Sequence, residues 1–262
     1  METRKIPKTD LNLSAIAFGS FASGGWAPSE KKAATEAIRA SYQMGITTFD
    51  TAPIYGLGET ETVIGEALKP FPRDKIQIMT KFGLRWIYQK GTYFRSFINF
   101  DGKKVDIYRY ASKESVIEEC ENSLKRLNMD YIDLYQIHRW DNATPIEETM
   151  EALNDLVRSG KVRYIGASSM WAWQFAKAQQ IAKERNWSRF ISMQNHYNLA
   201  YREEEREMIP LCKDQGVGLI PWSPLARGFL AGNRKPDDKD ASKNNSATSR
   251  AKTDEMALRV FY

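Results

Sequence analysis

Short apolar, β-branched runs alternate with segments of helical length along most of the chain, and this alternation limits the available folds more than any other feature. Strand-like runs fall at residues 15–20, 47–52, 76–82, 131–138, 163–167, 190–195 and 218–222. Helix-like segments separate them. Ser29 caps one that runs to Met44 and stops at Gly45, and a second spans 60–68. Ser112 opens a third, to Leu127, and the box Thr144-Pro145-Ile146-Glu147 opens a fourth, to Gly160. Two more run to about residue 185 and over 202–215. Residues 4–6 and 11–13 form a hairpin about Thr9-Asp10 ahead of the first strand. Repeated strand–helix units give a parallel sheet with helices outside. The count favours a (β/α)8 TIM barrel over a doubly wound sheet, because no Gly-x-Gly-x-x-Gly follows the first strand. Gly56 and Gly58 come after the second strand and lack a third glycine.

Two stretches break the rhythm. Residues 83–111 form an aromatic-rich insertion carrying Trp86, Tyr88, Tyr93, Phe94, Phe97, Phe100, Tyr108 and Tyr110. Loops this long are functional or disordered, and so many aromatics argue against disorder, so the expectation is a hairpin or lid packed over a pocket. Residues 233–255 are polar and charged and read as a flexible loop, followed by the start of a helix at 256–262. The expected architecture is thus a single, incomplete barrel domain over 1–262, lacking the eighth strand and the C-terminal helix. An unclosed barrel leaves edge strands with unpaired backbone groups. The chain as a fragment of a longer protein is the favoured account, ahead of a gap-filling partner or a poorly stable short form.

Composition narrows the function classes. A hydrophobic share of 42 % supports a sizeable core. The net charge of +5 favours anionic ligands weakly, a dinucleotide phosphate among them, but Lys and Arg are scattered among Asp and Glu, which argues against nucleic acid. Cys120 and Cys212 are far apart and without metal-like spacing, so they read as packed helix residues in a reducing cytoplasm. No apolar run approaches the roughly 18 residues that span a bilayer, and Asp10, Asn12 and Ser14 interrupt the one segment that imitates a signal peptide.

In barrel enzymes the reacting groups sit at the C-terminal ends of strands. Here Asp50 ends the second strand, with Tyr55 in the following loop; Lys81 ends the third and His138 the fourth. A charge inside an apolar strand is costly to bury unpaired, and Asp50 and Lys81 can satisfy each other. Four ionisable or protic groups from neighbouring strands therefore converge on one mouth.

These residues and their surroundings closely resemble the aldo-keto reductases. The resemblance runs through Asp50-Thr-Ala-Pro-Ile-Tyr55-Gly-Leu-Gly-Glu59, Thr80-Lys81 and Asp130-Tyr-Ile-Asp-Leu-Tyr-Gln-Ile-His138. It continues through Gly166-Ala-Ser-Ser169, Gln194 and Pro221-Trp-Ser-Pro-Leu225, covering residues 4 to about 232. It implies hydride transfer from a nicotinamide cofactor to an aldehyde or ketone. Tyr55 would be the general acid, and Lys81 would lower its pKa. Asp50 would hold Lys81, and His138 would donate or orient a hydrogen bond at the carbonyl oxygen.

The resemblance also implies the binding residues. Ser168, Ser169 and Gln194 would hold the nicotinamide carboxamide, and Trp222 would stack on its ring. Ser223, Pro224, Leu225 and Arg227 would follow the pyrophosphate, with Gly19, Ser20 and Asp50 on the floor. Phe21, Trp26, Trp86 and Arg139, with Trp140 beside it, are candidates for the substrate pocket, and His196 reads as structural. NADPH is the implied cofactor, with NADH open, because the family's 2′-phosphate-gripping segment lies around its eighth strand. The expected partner is a small-molecule carbonyl compound, with no nucleic acid or membrane and the oligomeric state open. A cofactor-sensing module resembling potassium-channel β subunits, or a truncated inactive form, is the alternative.

Overall fold

The computed structural model describes residues 1–21, 28–87, 90–99 and 102–232. Its centre is a seven-stranded parallel sheet. The strands are β3 (Phe18–Gly19), β4 (Thr48–Asp50), β5 (Gln77–Phe82), β9 (Ile132–Ile137), β10 (Val162–Ser168), β11 (Phe190–Gln194) and β12 (Gly218–Leu219), side by side in that order. Each strand pairs with its neighbour in parallel. Helices α1 (Pro28–Gln43), α2 (Glu59–Leu68), α3 (Lys113–Leu127), α4 (Ile146–Arg158), α5 (Ala172–Glu184) and α6 (Met208–Gln215) connect them.

The central strands are buried on both faces, as parallel strands under helices must be. All six residues of β9 are buried. Its Tyr135 and Ile137 pack beneath Val116 and Cys120 of α3 and Met150 and Leu153 of α4. Its Leu134 turns the other way, onto Met79 of β5. There the N-terminal hairpin, β1 (Thr3–Lys5) against β2 (Asn12–Ser14), inserts Ile6, Leu11 and Leu13. The hairpin closes the end of the sheet where the strands begin, which leaves the other end for chemistry.

Several expectations need correction. The first strand is two residues long rather than six, because Ser14 and Thr48 exchange hydrogen bonds and draw the chain into the second strand's start instead. The first helix begins at Pro28, one residue before the expected cap. The predicted helix over 202–215 is split into a 3-10 turn at Glu203–Glu205 and α6. Pro210 explains the split: its ring and missing N–H are tolerated only in a first helical turn, which is where α6 places it. The box at Thr144 is not made. Thr144 donates instead to Asp141 (2.7 Å), and α4 has no side-chain cap.

The insertion contains a three-stranded antiparallel sheet, β6 (Leu84–Arg85), β8 (Lys104–Arg109) and β7 (Thr92–Ile98), in that order. Its Phe94, Phe97, Val105 and Ile107 pack on Ala52, Ile54, Tyr55 and Leu57, so it buttresses the loop after β4. The polar stretch at 233–255 lies outside the described residues. Among the described residues, no helix is long and apolar enough to cross a membrane.

Candidate active site

Register builds the site. Asp50 is the last residue of β4 and faces Met79, while Lys81 lies one inward-pointing step further along β5. The Lys81 side chain is fully buried and reaches back to Asp50. Its Nζ donates to Asp50 Oδ1 (2.9 Å) and Oδ2 (3.0 Å) and to the Thr51 carbonyl (2.8 Å). Burial pushes the ammonium's pKa down, but Asp50 and Tyr55 outweigh it, and the group titrates above the ordinary lysine value. Lys81 is therefore charged at any physiological pH.

Tyr55 opens a 3-10 turn in which Gly56 (φ 57°), Leu57 (φ 53°) and Gly58 (φ 96°) all lie in the left-handed region. That sharp reversal turns the phenol back toward the strand ends. Lys81 Nζ lies 5.2 Å from the ring centroid, its charge within reach of the hydroxyl, and the ring stands edge-on to His138 (5.8 Å, 84°) and to Phe21 (5.2 Å, 88°). His138 follows β9, with its backbone N–H on the Phe82 carbonyl (2.9 Å). The Tyr55 pKa departs from expectation. Burial raises it most; Lys81 pulls it down, Asp50 pushes it back, Arg139 lowers it a little, and the net position is above 10.0. The lysine moderates the phenol without overcoming its desolvation.

A second group of side chains gathers at the ends of β10 and β11. Gln194 Nε2 donates to Asp50 Oδ1 (3.1 Å). The Gln194 carbonyl accepts from Ser168 Oγ (3.0 Å) and the Ser169 N–H (3.2 Å). Ser169 Oγ accepts the Trp222 indole N–H (3.1 Å). Ser169 (φ 49°) and Ser223 (φ 54°) both hold left-handed backbone conformations, which are uncommon for a residue with a side chain. Asp50 is thus the hinge between the two groups.

The remaining candidates are dispersed. Ser20 is buried and donates through N–H and Oγ to the Asp50 carbonyl (2.9 and 2.8 Å), with exposed Gly19 paired to Asp50. Pro224 and Leu225 are exposed on the turn after Ser223. Phe21 is 55 % exposed at the mouth. Arg139 is half-buried beside His138 and within electrostatic reach of Tyr55. Trp86 packs with the insertion and borders a shallow pocket with Pro53, Glu119 and Asn122 on the α3 side. Trp26 and the Arg227 side chain lie outside the described residues.

One participant escaped the reading of the sequence: the Thr51 carbonyl is a backbone group and leaves no trace in residue type. His196, read as structural, packs its ring against Trp222.

Most of the chain is similar to known proteins. A profile of the aldo/keto reductase family matches residues 15–260. An aldo-keto reductase of Metarhizium robertsii is 45 % identical over 240 residues, covering 86 % of this chain and 62 % of that protein. The versiconal hemiacetal acetate reductase of Aspergillus parasiticus is 44 % identical over 242 residues, covering 88 % and 69 %. Among solved structures, a glycerol dehydrogenase of Gluconobacter oxydans superposes with a TM-score of 0.79 at 30 % identity, covering 98 % of this chain and 74 % of that one. The chain spans only 57–62 % of the length of the reductases it matches in Metarhizium, Alternaria and Fusarium. Across the match, the chain belongs to the aldo/keto reductase family and carries its (β/α)8-type fold.

Proposed function

We propose that the protein of which this chain is part reduces aldehydes or ketones to alcohols, with Tyr55 as general acid and NADPH as cofactor. The observation that carries the reading is the buried Lys81 ammonium, held by Asp50 (2.9 Å) with its Nζ 5.2 Å from the centroid of the Tyr55 ring. A buried ammonium is costly unless paired; Asp50 supplies the pair and leaves the charge beside the phenol.

The residues present fit a nicotinamide. Gln194, Ser168 and Ser169 supply amide and hydroxyl groups suited to a carboxamide. Trp222 is half-buried, with its edge fixed by Ser169, and presents a flat indole. A bound nicotinamide supplies the hydride. The chain's own residues do the rest. As negative charge grows on the carbonyl oxygen, Tyr55 Oη gives it a proton. Lys81 stabilises the phenolate left behind, and Asp50 keeps Lys81 in place and charged. His138, edge-on to the Tyr55 ring, would offer the same oxygen a second hydrogen bond. Arg139, beside His138, adds positive potential to the mouth.

The assay is absorbance at 340 nm with full-length protein, NADPH or NADH, and an aromatic aldehyde. Turnover should fall about 10²–10⁴-fold in Tyr55→Phe. A folded protein with no turnover on any carbonyl tried, and no difference between parent and variant, would remove the reading.

A further inference from the structure

His196 stands in the middle of a three-ring column. On one side its imidazole stacks on Trp222 (centroids 4.2 Å apart, 14° between planes). On the other it stacks on Tyr201 (4.4 Å, 19°). The strand register produces the first contact. His196 and Trp222 form a parallel bridge just beyond the ends of β11 and β12, and adjacent parallel strands lie about 4.8 Å apart. Two flat rings on the same face of such a bridge stack on each other.

The column is locked by its surroundings. The Trp222 N–H donates to the Asn195 carbonyl (2.8 Å), which fixes the backbone beneath the indole. The indole N–H is held by Ser169 Oγ (3.1 Å). Asn198 Nδ2 approaches His196 Nε2 (3.3 Å) and donates to the Ser223 carbonyl (3.0 Å). Asn198 Oδ1 accepts the N–H of Tyr201 (2.8 Å), which sets the outer ring. One indole face is therefore occupied and its edge is fixed, while the residue as a whole remains half-exposed.

We propose that His196 is a positioning residue for the nicotinamide ring, holding the plane of Trp222 from behind so that its other face is a fixed stacking surface. The inference rests on the reading that Trp222 meets the cofactor. An indole backed by another ring cannot rotate about its side-chain bonds without breaking the stack. A cofactor ring laid on it then loses less freedom of its own on binding.

The test is isothermal titration of the full-length protein with NADPH, across His196→Leu, His196→Phe, Trp222→Leu and the His196→Leu/Trp222→Leu pair. Stacking energies predict that His196→Leu weakens NADPH about 3- to 10-fold. His196→Phe, which keeps a flat ring, should recover the parent affinity to within about 2-fold, a rescue that a merely space-filling role would not require. The His196→Leu effect should disappear once Trp222 is leucine. If phenylalanine binds as poorly as leucine, or the His196→Leu effect persists undiminished without the indole, the inference is wrong while the Trp222 reading stands. If Trp222→Leu alone leaves NADPH affinity unchanged, the Trp222 reading fails and takes the inference with it. Should His196→Leu not fold, Tyr201→Leu uncovers the imidazole's far face and should give the same order of effects at smaller size; no effect there counts against the column.

Discussion

At the scale of single residues, the site is a contest between burial and charge. Lys81 wins its contest because Asp50 touches it through both oxygens, and it stays an ammonium. Tyr55 does not, and its pKa ends above 10.0 because desolvation exceeds the pull of Lys81. The sign decides a pH profile. In the proposed reaction a general acid must be protonated to act, and a raised pKa keeps it protonated, so kcat/KM should show no Tyr55 limb through neutral pH and fall only on the alkaline side of the ordinary tyrosine range. Replacing Lys81→Met removes the one strong lowering influence. The phenol should titrate higher still, and reduction should slow by about 10²-fold or more as the acid weakens. Stopped-flow rates from pH 7 to 11 on both proteins measure this. A limb near pH 7 assignable to Tyr55 would show that the charge, rather than burial, dominates. Asp50, Lys81 and His138 stood out in the sequence as charged or protic residues at the ends of apolar strands, and Tyr55 through the resemblance of the loop that carries it. The opposing strength of desolvation did not, since it depends on how many distant atoms surround the hydroxyl.

At the scale of elements, legibility followed burial. Strands β5, β9, β10 and β11 were visible as apolar runs because helices cover one face and the barrel interior the other. The failures were cap and helix signals overridden by competing partners. Thr144 looks like a cap, yet Asp141 takes its hydroxyl while also accepting the N–H groups of Ala111 and Ala143. Glu119 of α3 is a partner that only the fold supplies. It is buried, and both its oxygens accept the Gly83 N–H (3.2 Å each), at the point where the insertion leaves β5. Burial raises its pKa to about 7, against the pull of Arg85, Gly83 and Ser115. A carboxyl whose folded pKa lies above its unfolded value favours the folded state fully below pH 4.5 and loses that contribution as pH rises through about 7. The shift corresponds to about 3 kcal/mol. Glu119→Gln keeps an acceptor for Gly83 and cannot ionise, so its unfolding free energy should lack this decline. Urea titrations at pH 5 and pH 8 compare the two proteins, and parallel pH dependences would refute the assignment.

At the scale of the whole molecule, the sheet has two chemically different ends. Where the strands begin, Met79 and Leu134 meet Ile6, Leu11 and Leu13 in an apolar plug. Where they finish, Asp50, Lys81, Gln194 and Ser168 meet in a polar cluster. Barrels with function at one end and stability at the other should let the two be perturbed separately. Leu11 is 2 % exposed, and Leu11→Ala should cost about 2–5 kcal/mol of unfolding free energy through lost burial and a residual cavity. Its kcat/KM, measured well below the unfolding temperature, should stay within about 2-fold of the parent, since an independent distant site leaves transition-state binding intact. Tyr55→Phe should do the reverse. The ring keeps its contacts with Phe21 and His138, so stability should change by less than about 1 kcal/mol while reduction is lost. The two variants together should show both defects at their single-variant sizes. A Leu11→Ala protein that is fully folded but as inactive as Tyr55→Phe would mean that the plug and the mouth are coupled along the barrel axis, and that the separation of ends does not hold here.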